Sequence, residues 1–183
     1  KLAPGLIAGN TVVYNPASAT PLSAVISVEV FEEAGLPAGV LNLVTGPGGS
    51  VGNTLVEDPR VAGISFTGST EVGTAITARG SELLKKMQCE MGGKNAAIIM
   101  NDADLAKAVT GVVQGAFGST GQRCTATSRA IVEDGIYDEF MSTLIDQTSA
   151  LTIGDGMDET KDVAPLSSKN QLDTVLEYIG IGT

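Results

Sequence analysis

Histidine and tryptophan are absent from the sequence, and cysteine occurs only at Cys89 and Cys124. Without histidine the chain cannot form a Cys/His zinc site, a Ser-His-Asp triad or a Cys-His catalytic pair. The two cysteines form no CxxC pair. Any catalytic base must therefore be a carboxylate, a lysine or a tyrosine, and we expect no metal site.

Basic residues and long apolar runs are also scarce. The sequence has 11 Lys and Arg against 21 Asp and Glu, which gives a formal charge of −10. No basic cluster interrupts this excess, so we expect no nucleic-acid partner and interpret the charge as a solvated acidic surface. No apolar run reaches the roughly 18 residues of a membrane helix, and we expect no membrane partner.

The chain has 183 residues, of which 43% are hydrophobic, enough for a buried core in one domain or in parts of two. It begins with "KLAPGLIAGNTVVYNP", a strand-like run without an initiator methionine, and ends within a predicted helix at "VLEYIGIGT". We therefore expect both ends to lie inside a longer protein. No signal-peptide pattern is visible, and we expect a cytoplasmic protein.

Short β-branched runs alternate with helical patterns, which predicts a parallel sheet with crossover helices, as in a doubly wound α/β fold. The predicted strands are residues 11–14, 40–45, 61–68, 85–90, 96–100 and 128–134, the fifth of them buried. The predicted helices are residues 20–35, 50–58, 69–80, 102–118, 136–151 and 167–179. The pattern restarts after Gly92 and Gly93, where we expect the boundary between two partial domains, 1–91 and 92–183.

Local signals predict where several of these helices begin and end. Thr20 is the expected N-cap of the first helix, and Gly80 is the expected end of the third. Asp102 or Asp104 caps the fourth helix. In the fifth helix, Phe140 and the leucine four residues later lie on one apolar face, which predicts that this face is buried.

Two glycine-rich stretches are candidates for binding phosphate. "SFTGSTEVG" places Gly68, Ser69 and Gly73 where a strand turns into a helix. The start of a helix offers free N–H groups and a positive dipole end, which suits a phosphate, although an ordinary serine N-cap has the same pattern. The earlier "GPGGSVG", which starts at Gly46, spaces its glycines as GxGxxxG and matches a dinucleotide fingerprint only weakly.

Two further stretches place reactive side chains beside flexible turns. "CEMGGKN" puts Glu90 directly before two glycines, where a carboxylate can face a cleft and take a proton from water. The alternative is an exposed, inert glutamate. "GQRCTA" puts Cys124 beside Arg123. A reactive cysteine needs such access and positive charge, whereas a structural cysteine behaves as a buried small hydrophobe.

The stretches "FTGSTEVG", "EMGGKN" and "GQRC", in this order, resemble the aldehyde dehydrogenase superfamily. The similarity extends from "AGNTVVYNPASATPLSA" to "APLSSKNQLDTVLEYI" and covers essentially all 183 residues. The resemblance implies an aldehyde dehydrogenase-like α/β fold. Residues 1–91 would be the latter half of a Rossmann-type NAD(P)-binding domain, and residues 92–183 the start of an α/β catalytic domain.

By this resemblance, Cys124 is the nucleophile that attacks an aldehyde, and its backbone N–H holds part of the oxyanion. Glu90 would activate the water that releases a carboxylic acid from the cysteine thioester. Arg123 would raise the local positive potential and favour the thiolate. "GAFGSTGQRCTATSR" looks most like ketoglutarate semialdehyde (2,5-dioxovalerate) dehydrogenases. A carboxylate-bearing semialdehyde is therefore the expected substrate. Within that class, succinate semialdehyde is the close alternative to 2,5-dioxovalerate.

The resemblance also implies a cofactor, NADP or NAD. The implied contacts are Gly46 near the adenosine half, Gly68 and Ser69 at the pyrophosphate, and Gly73 where the helix packs closely. Near the ribose, Asn15 replaces the lysine that is usual in the family. Ser18 replaces the glutamate with which many NAD-preferring members bind the ribose hydroxyls. Without that carboxylate a 2′-phosphate is not repelled, so NADP is at least tolerated.

Other parts of the family's site have no counterpart in this sequence. By the resemblance, an oxyanion-binding asparagine would precede Lys1, and a ribose-binding glutamate and an oligomer-forming strand would follow Thr183. We expect the parent enzyme to be a homo-oligomer and the isolated chain to be inactive. Within the sequence, Ser119 replaces an asparagine of the family, and Cys89 is interpreted as packing. The alternative function is an inert fragment or pseudoenzyme that serves only as a folded interaction module.

Overall fold

The structure is a computed structural model that describes every residue from Lys1 to Thr183. It divides into two compact units, unit 1 at Lys1–Met91 and unit 2 at Gly92–Thr183. Helices and strands alternate in both units, and every strand pair is parallel, so the predicted α/β fold with crossover helices is confirmed. None of the helices combines the length and the apolar character needed to cross a bilayer.

Unit 1 contains short strands that alternate with helices. Its elements are α1 (Leu2–Ile7), β1 (Val12–Tyr14), α2 (Leu22–Glu33), β2 (Leu41–Leu43), α3 (Asn53–Glu57), β3 (Gly63–Thr67), α4 (Thr70–Glu82) and β4 (Lys86–Glu90). β1 pairs with β2 and β3 with β4, so the strands form two separate sheets instead of one continuous sheet. The strand-like start predicted from the sequence is wrong, because the chain begins with the helix α1.

Two predicted helix ends in unit 1 are wrong. α2 begins only after Pro21, which occupies the N-cap position, and Thr20 does not cap it. α4 continues past Gly80, because this glycine is buried against the Met87 thioether and allows close packing there. The chain reverses direction at Leu84 instead, which adopts the left-handed conformation (φ 55°) expected of a glycine. Tertiary contacts therefore override the local signal at both ends.

α4 covers only one face of the β3–β4 sheet. Gly73 on α4 is buried, and a Cβ at this position would lie 2.5 Å from Met91 Sδ and 3.3 Å from the Phe66 ring. The missing side chain therefore lets the helix approach the sheet closely. The opposite face, which carries Gln88 and Glu90, is exposed and polar. This sheet is thus half-buried within unit 1, as the alternation of its side chains requires.

Arg79 on α4 connects this helix to α3 by an ion pair. Its guanidinium lies 2.6 Å from a Glu57 oxygen and 2.7 Å from a Glu82 oxygen. The hydrogen bonds from Arg79 hold the pKa of Glu57 below its ordinary 4.5, so the pair stabilises the fold above that pH and loses this contribution as the pH falls. The side chains are about half exposed, and solvent keeps the contribution small.

Unit 2 has a similar alternation with longer helices. Its elements are β5 (Asn95–Ile99), α5 (Leu105–Phe117), β6 (Thr127–Val132), α6 (Asp134–Ser149) and α7 (Lys169–Gly182). β5 and β6 pair in parallel, with an irregularity between Asn95 and Ala96. Asp104, one of the two predicted caps, accepts a hydrogen bond from the Lys107 N–H and begins α5.

The core of unit 2 lies between α5, α6 and one face of β5. Its buried side chains are Ile99, Val109, Val112, Val113, Ile136 and Phe140, and the Phe140 ring is fully buried. Leu144 packs against this cluster, as the i, i+4 pattern predicted. The prediction that the strand at 96–100 is buried is wrong for three of its five residues, which are exposed. Ile98 is 70% exposed because helices cover only the face on which Ile99 lies.

Replacing Phe140 by alanine should lower the free energy of unfolding by about 3–5 kcal/mol, because the change removes a fully buried ring and leaves a cavity. Tyr137→Ala is the matched control, since Tyr137 lies on the same helix and is 48% exposed. Its cost should be much smaller. Denaturant unfolding followed by circular dichroism measures both values, and equal losses would contradict this description of the core.

Candidate active site

The adenosine-side candidates Asn15, Ser18 and Gly46 lie together in unit 1, where β1 and β2 end. Asn15 Nδ2 donates to the carbonyl oxygens of Val44 at 2.8 Å and Gly46 at 3.5 Å. Ser18 Oγ donates to the Gly46 oxygen at 3.3 Å. The carboxyl ends of parallel strands meet at one edge of a sheet, which explains why residues so distant in the chain converge. The resulting cluster carries no charged side chain.

Gly46 is required by the geometry of this cluster. Its φ of +153° is one that side chains rarely adopt, and a Cβ at this position would lie 2.6 Å from Val51 Cγ2. The glycine therefore lets the chain turn from β2 into the π-helical turn at Gly48–Gly52 that precedes α3. In this way the turn presents a backbone carbonyl to Asn15 and Ser18.

Gly68 and Ser69 lie between the end of β3 and the start of α4. Ser69 is the N-cap of α4, and its Oγ accepts a hydrogen bond from the Val72 N–H at 3.3 Å, as predicted. The Gly68 N–H donates to the Glu90 carbonyl oxygen at 3.1 Å. The first N–H groups of α4 have no partner within the helix, so this exposed end of a 13-residue helix suits an anionic group.

Glu90 is the last residue of β4 and lies opposite Thr67 in the parallel register. This register brings Glu90 beside Gly68 and the start of α4. The carboxylate is exposed and accepts a long hydrogen bond from Gln88 Nε2 at 3.5 Å. It forms no ion pair in the chain, and it is therefore accessible to water and free to accept a proton.

Cys124 lies in unit 2, in an exposed segment between α5 and β6 that we call the Cys124 loop (residues 118–126). The loop begins with a 3-10 turn at Gly118–Gly121. Within this turn, Ser119 and Thr120 have the left-handed φ values of 53° and 60°. Such values are costly for residues other than glycine, so the surrounding contacts must hold the loop in this conformation.

Asn95 holds the second half of the Cys124 loop. Its Nδ2 donates to the carbonyl oxygens of Cys124 at 2.9 Å and Ala126 at 3.3 Å. Because Asn95 is the first residue of β5, which pairs with β6, the position of Cys124 is tied to the sheet. The sequence analysis assigned no role to Asn95. Its position at the end of "GGKN" was the available signal, and its partner is 29 residues away.

Arg123 projects its guanidinium toward the start of the same loop. Its Nε and Nη2 donate to Ser119 Oγ at 3.0 and 2.7 Å. No carboxylate of the chain pairs with it, so its positive charge remains unpaired at the start of the Cys124 loop. Ser119, which stands where the resemblance implies an asparagine, thus orients the arginine.

Cys89 differs from Cys124 in its surroundings. It is half-buried beneath α4, and its Sγ lies 3.2 Å from Thr77 Oγ1. This position fits the packing role predicted for it. No three His, Cys, Asp or Glu side chains converge closely enough to hold a metal ion.

Comparison with known proteins places this arrangement in context. The sequence profile of the aldehyde dehydrogenase family matches residues 1–183. The alpha-ketoglutaric semialdehyde dehydrogenase of Bacillus subtilis (strain 168) is 51% identical over 182 residues, which cover 100% of this chain and 37% of the relative. The chain thus spans little more than a third of that relative's length.

Two crystal structures show the same fold over this span. An NADP-dependent enzyme of E. coli superposes with a TM-score of 0.95 at 43% identity, over 98% of this chain and 37% of that one. Betaine aldehyde dehydrogenase from Staphylococcus aureus, in complex with NAD+, superposes with a TM-score of 0.95 at 34% identity, over 98% of this chain and 36% of that one. This chain belongs to the aldehyde dehydrogenase family.

Proposed function

We propose that the protein oxidises an aldehyde to a carboxylic acid with NADP or NAD, through a thioester on Cys124. The observation that carries this proposal is an exposed cysteine in a hydrogen-bonded loop of an aldehyde dehydrogenase family member. The chain spans 37% of the length of the Bacillus relative, so the activity is proposed for the complete protein. That protein is further proposed to be a cytoplasmic homo-oligomer, and the isolated chain to be inactive.

Cys124 acts as the nucleophile in this proposal. Its thiolate attacks the carbonyl carbon of the aldehyde, and the carbonyl oxygen becomes an oxyanion. The backbone N–H of Cys124 has no acceptor in the chain, so it is free to donate to that oxygen. Arg123 adds a positive charge in the same loop, which favours the oxyanion.

Glu90 acts as the general base. Its exposed carboxylate takes a proton from a water molecule, whose oxygen then attacks the thioester carbon. The carbon–sulfur bond breaks, the carboxylic acid leaves, and Cys124 returns to its thiolate form. The absence of an ion pair at Glu90 supports this role, because a paired carboxylate is a weaker base.

The nucleotide is proposed to bind along the strand ends of unit 1. The N–H groups at the start of α4, capped by Ser69, suit its pyrophosphate, and Gly73 keeps that helix close to the sheet. The uncharged cluster of Asn15, Ser18 and Gly46 suits the ribose of either nucleotide, because it neither repels nor attracts a 2′-phosphate. When bound, the nicotinamide ring supplies the hydride acceptor for the oxidation.

The substrate is proposed to be a semialdehyde that carries a carboxylate, with 2,5-dioxovalerate favoured over succinate semialdehyde. The guanidinium of Arg123, which has no carboxylate partner and is held by Ser119 in the Cys124 loop, offers a partner for the distal carboxylate of such a substrate. The name of the Bacillus subtilis relative, alpha-ketoglutaric semialdehyde dehydrogenase, supports the same choice.

Substitution of Cys124 and Glu90 in the complete protein should separate the two chemical steps. Cys124→Ser should abolish both the first-turnover burst of reduced nucleotide and the steady-state rate, because no thioester forms. Glu90→Gln should keep a burst of one equivalent per site but lower the steady-state rate by on the order of 10²–10⁴-fold, since hydrolysis lacks its base. Rapid mixing with absorbance detection measures both phases.

Cys89→Ser is the matched control for these variants, because Cys89 packs beneath α4 and has no proposed chemical role. It should retain both the burst and the steady-state rate. A Cys124→Ser protein that keeps its burst would refute the proposed nucleophile, whereas a complete wild-type protein with neither burst nor steady-state rate would favour the inert interaction module.

Ser18→Glu should change the nucleotide preference. A carboxylate at this position would repel a 2′-phosphate, and we expect the ratio of the Kd for NADP to the Kd for NAD to rise at least about tenfold. Ser18→Gln, which is as large but neutral, should leave the ratio within about twofold of the wild-type value. Calorimetric titration without aldehyde measures both constants, and an unchanged ratio in Ser18→Glu would contradict the proposed site.

Arg123→Gln should discriminate between substrates. Loss of the charged hydrogen bond should raise the KM for a carboxylate-bearing semialdehyde by roughly 10–100-fold, and should leave the KM for a neutral aldehyde of the same length nearly unchanged. Arg129→Gln serves as the control, because Arg129 lies in β6, outside the Cys124 loop. Equal increases for the two aldehydes would mean that Arg123 does not bind the substrate carboxylate.

A further inference from the structure

A cavity of about 410 Å³ lies at the start of the Cys124 loop, and Phe117, Gly118, Leu151 and Val163 are among the residues that line it. Gly118 is the first residue of the loop and contributes no side chain. Beyond Gly118, hydrogen bonds join the loop to a segment further along the chain.

Thr120 makes the first of these hydrogen bonds. It is a β-branched residue with a left-handed φ of 60°, a combination that costs free energy unless the surroundings enforce it. Its Oγ1 donates to the Ala164 carbonyl oxygen at 2.8 Å. This contact joins the strained part of the loop to a segment 44 residues further along the chain.

Gln122 makes a second contact with the same segment. Its Oε1 accepts a hydrogen bond from the Ser167 N–H at 3.0 Å, while its Nε2 donates to the Ser119 carbonyl oxygen at 3.4 Å. The Gln122 side chain therefore joins the left-handed turn before Cys124 to this one segment. We call this segment the strap (residues 163–167).

The strap is itself fixed at both ends. At one end, the Asp162 carboxylate accepts hydrogen bonds from Thr152 N at 2.9 Å and Thr152 Oγ1 at 2.8 Å, and the Val163 N–H donates to the Thr152 oxygen at 3.1 Å. These bonds hold the pKa of Asp162 below its ordinary 3.8. At the other end, the Ser168 Oγ caps α7. A short segment anchored in this way can hold a loop in place.

We propose that the strap positions Cys124, with Thr120 and Gln122 as the positioning residues through which it acts. The loop is then held from two sides, since Asn95 fixes the Cys124 carbonyl and the strap fixes the turn before it. Release of the strap would let the left-handed turn relax and would move the Cys124 thiol and its free N–H together. The inference rests on the proposed function only in that Cys124 is the nucleophile.

Asp162 provides a sharp consequence of this arrangement. It forms no hydrogen bond with the Cys124 loop, yet it anchors the strap that holds the loop. Coupling between two elements is reciprocal. Loosening the strap at Asp162 should therefore loosen the loop, and loosening the loop at Thr120 should expose the Ser167 N–H that Gln122 protects.

Hydrogen exchange on the complete protein, without substrate or nucleotide, tests this coupling. Thr120→Val, which keeps the shape of threonine but removes the hydroxyl, should speed exchange about tenfold at Gln122, whose N–H donates to the Ser119 carbonyl oxygen, and at Ser167. Thr120→Ser, which keeps the hydroxyl, should restore protection. Thr125→Val is the matched control, because the Thr125 hydroxyl makes no hydrogen bond in the chain, and it should leave exchange at Ser167 unchanged.

Asp162→Ala should speed exchange at Gln122 to a similar extent. Glu159→Ala, an exposed carboxylate in the same polar segment, is its control and should have no effect on the loop. Thr120→Gly guards against general destabilisation. It relieves the left-handed strain, so the melting temperature should not fall while the loop still loses its protection.

Kinetics of the complete enzyme supply a second measurement. Thr120→Val should lower kcat about tenfold and leave the Kd for the nucleotide unchanged. In Thr120→Ser, kcat should recover. Exchange rates in Thr120→Val equal to those in Thr125→Val, or a loop unaffected by Asp162→Ala, would overturn the inference. If Cys124→Ser kept its burst while the exchange coupling held, the proposed function would fail, but the inference that the strap positions the Cys124 loop would remain supported.

Discussion

Parallel pairing of strands is the constraint on which the candidate site of unit 1 depends. In a parallel pair both strands end at the same edge, so the residue after one strand is delivered beside the last residue of the other. The register of Thr67 with Glu90 therefore brings Gly68, which precedes the capped start of α4, next to the backbone carbonyl of Glu90. The pairing of β1 with β2 brings Asn15 and Gly46 together in the same way. The positions of the proposed nucleotide contacts and of the proposed general base thus follow from strand direction.

Unit 2 meets a different requirement, because it presents the proposed nucleophile, the exposed Cys124 thiol, from an irregular loop. A chain without histidine cannot hold a cysteine by an imidazole, and the Cys124 loop is held instead by neutral amide and hydroxyl groups. Asn95 fixes the residues at and after the cysteine, while Thr120 and Gln122 fix those before it. These bonds maintain two consecutive left-handed residues, which suggests that backbone strain and hydrogen bonding together define where the sulfur lies.

Glycine serves two distinct purposes in unit 1. At Gly46 it permits a backbone conformation, and at Gly73 and Gly80 it permits a helix to approach a sheet. The same residue type was a reliable sign of a strand-to-helix turn but a misleading sign of a helix end, since Gly80 lies buried inside α4. A local propensity indicates which conformations a residue can adopt, and the packing around the residue decides which of them it adopts.

The sequence by itself determined the alternation of strands and helices, the Ser69 cap and the buried face that carries Phe140, because each depends on neighbours within a few residues. For the same reason it limited the cap of α5 to two candidates, one of which was Asp104. It also determined the family, through three motifs in order along the chain. It did not predict that sheets would be covered on one face only, which left Ile98 exposed. Nor did it predict the Asn95 anchor or the strap. Only the tertiary structure decided these features, since they join segments some 30 to 45 residues apart, and no local pattern specifies which distant carbonyl an amide or hydroxyl will meet.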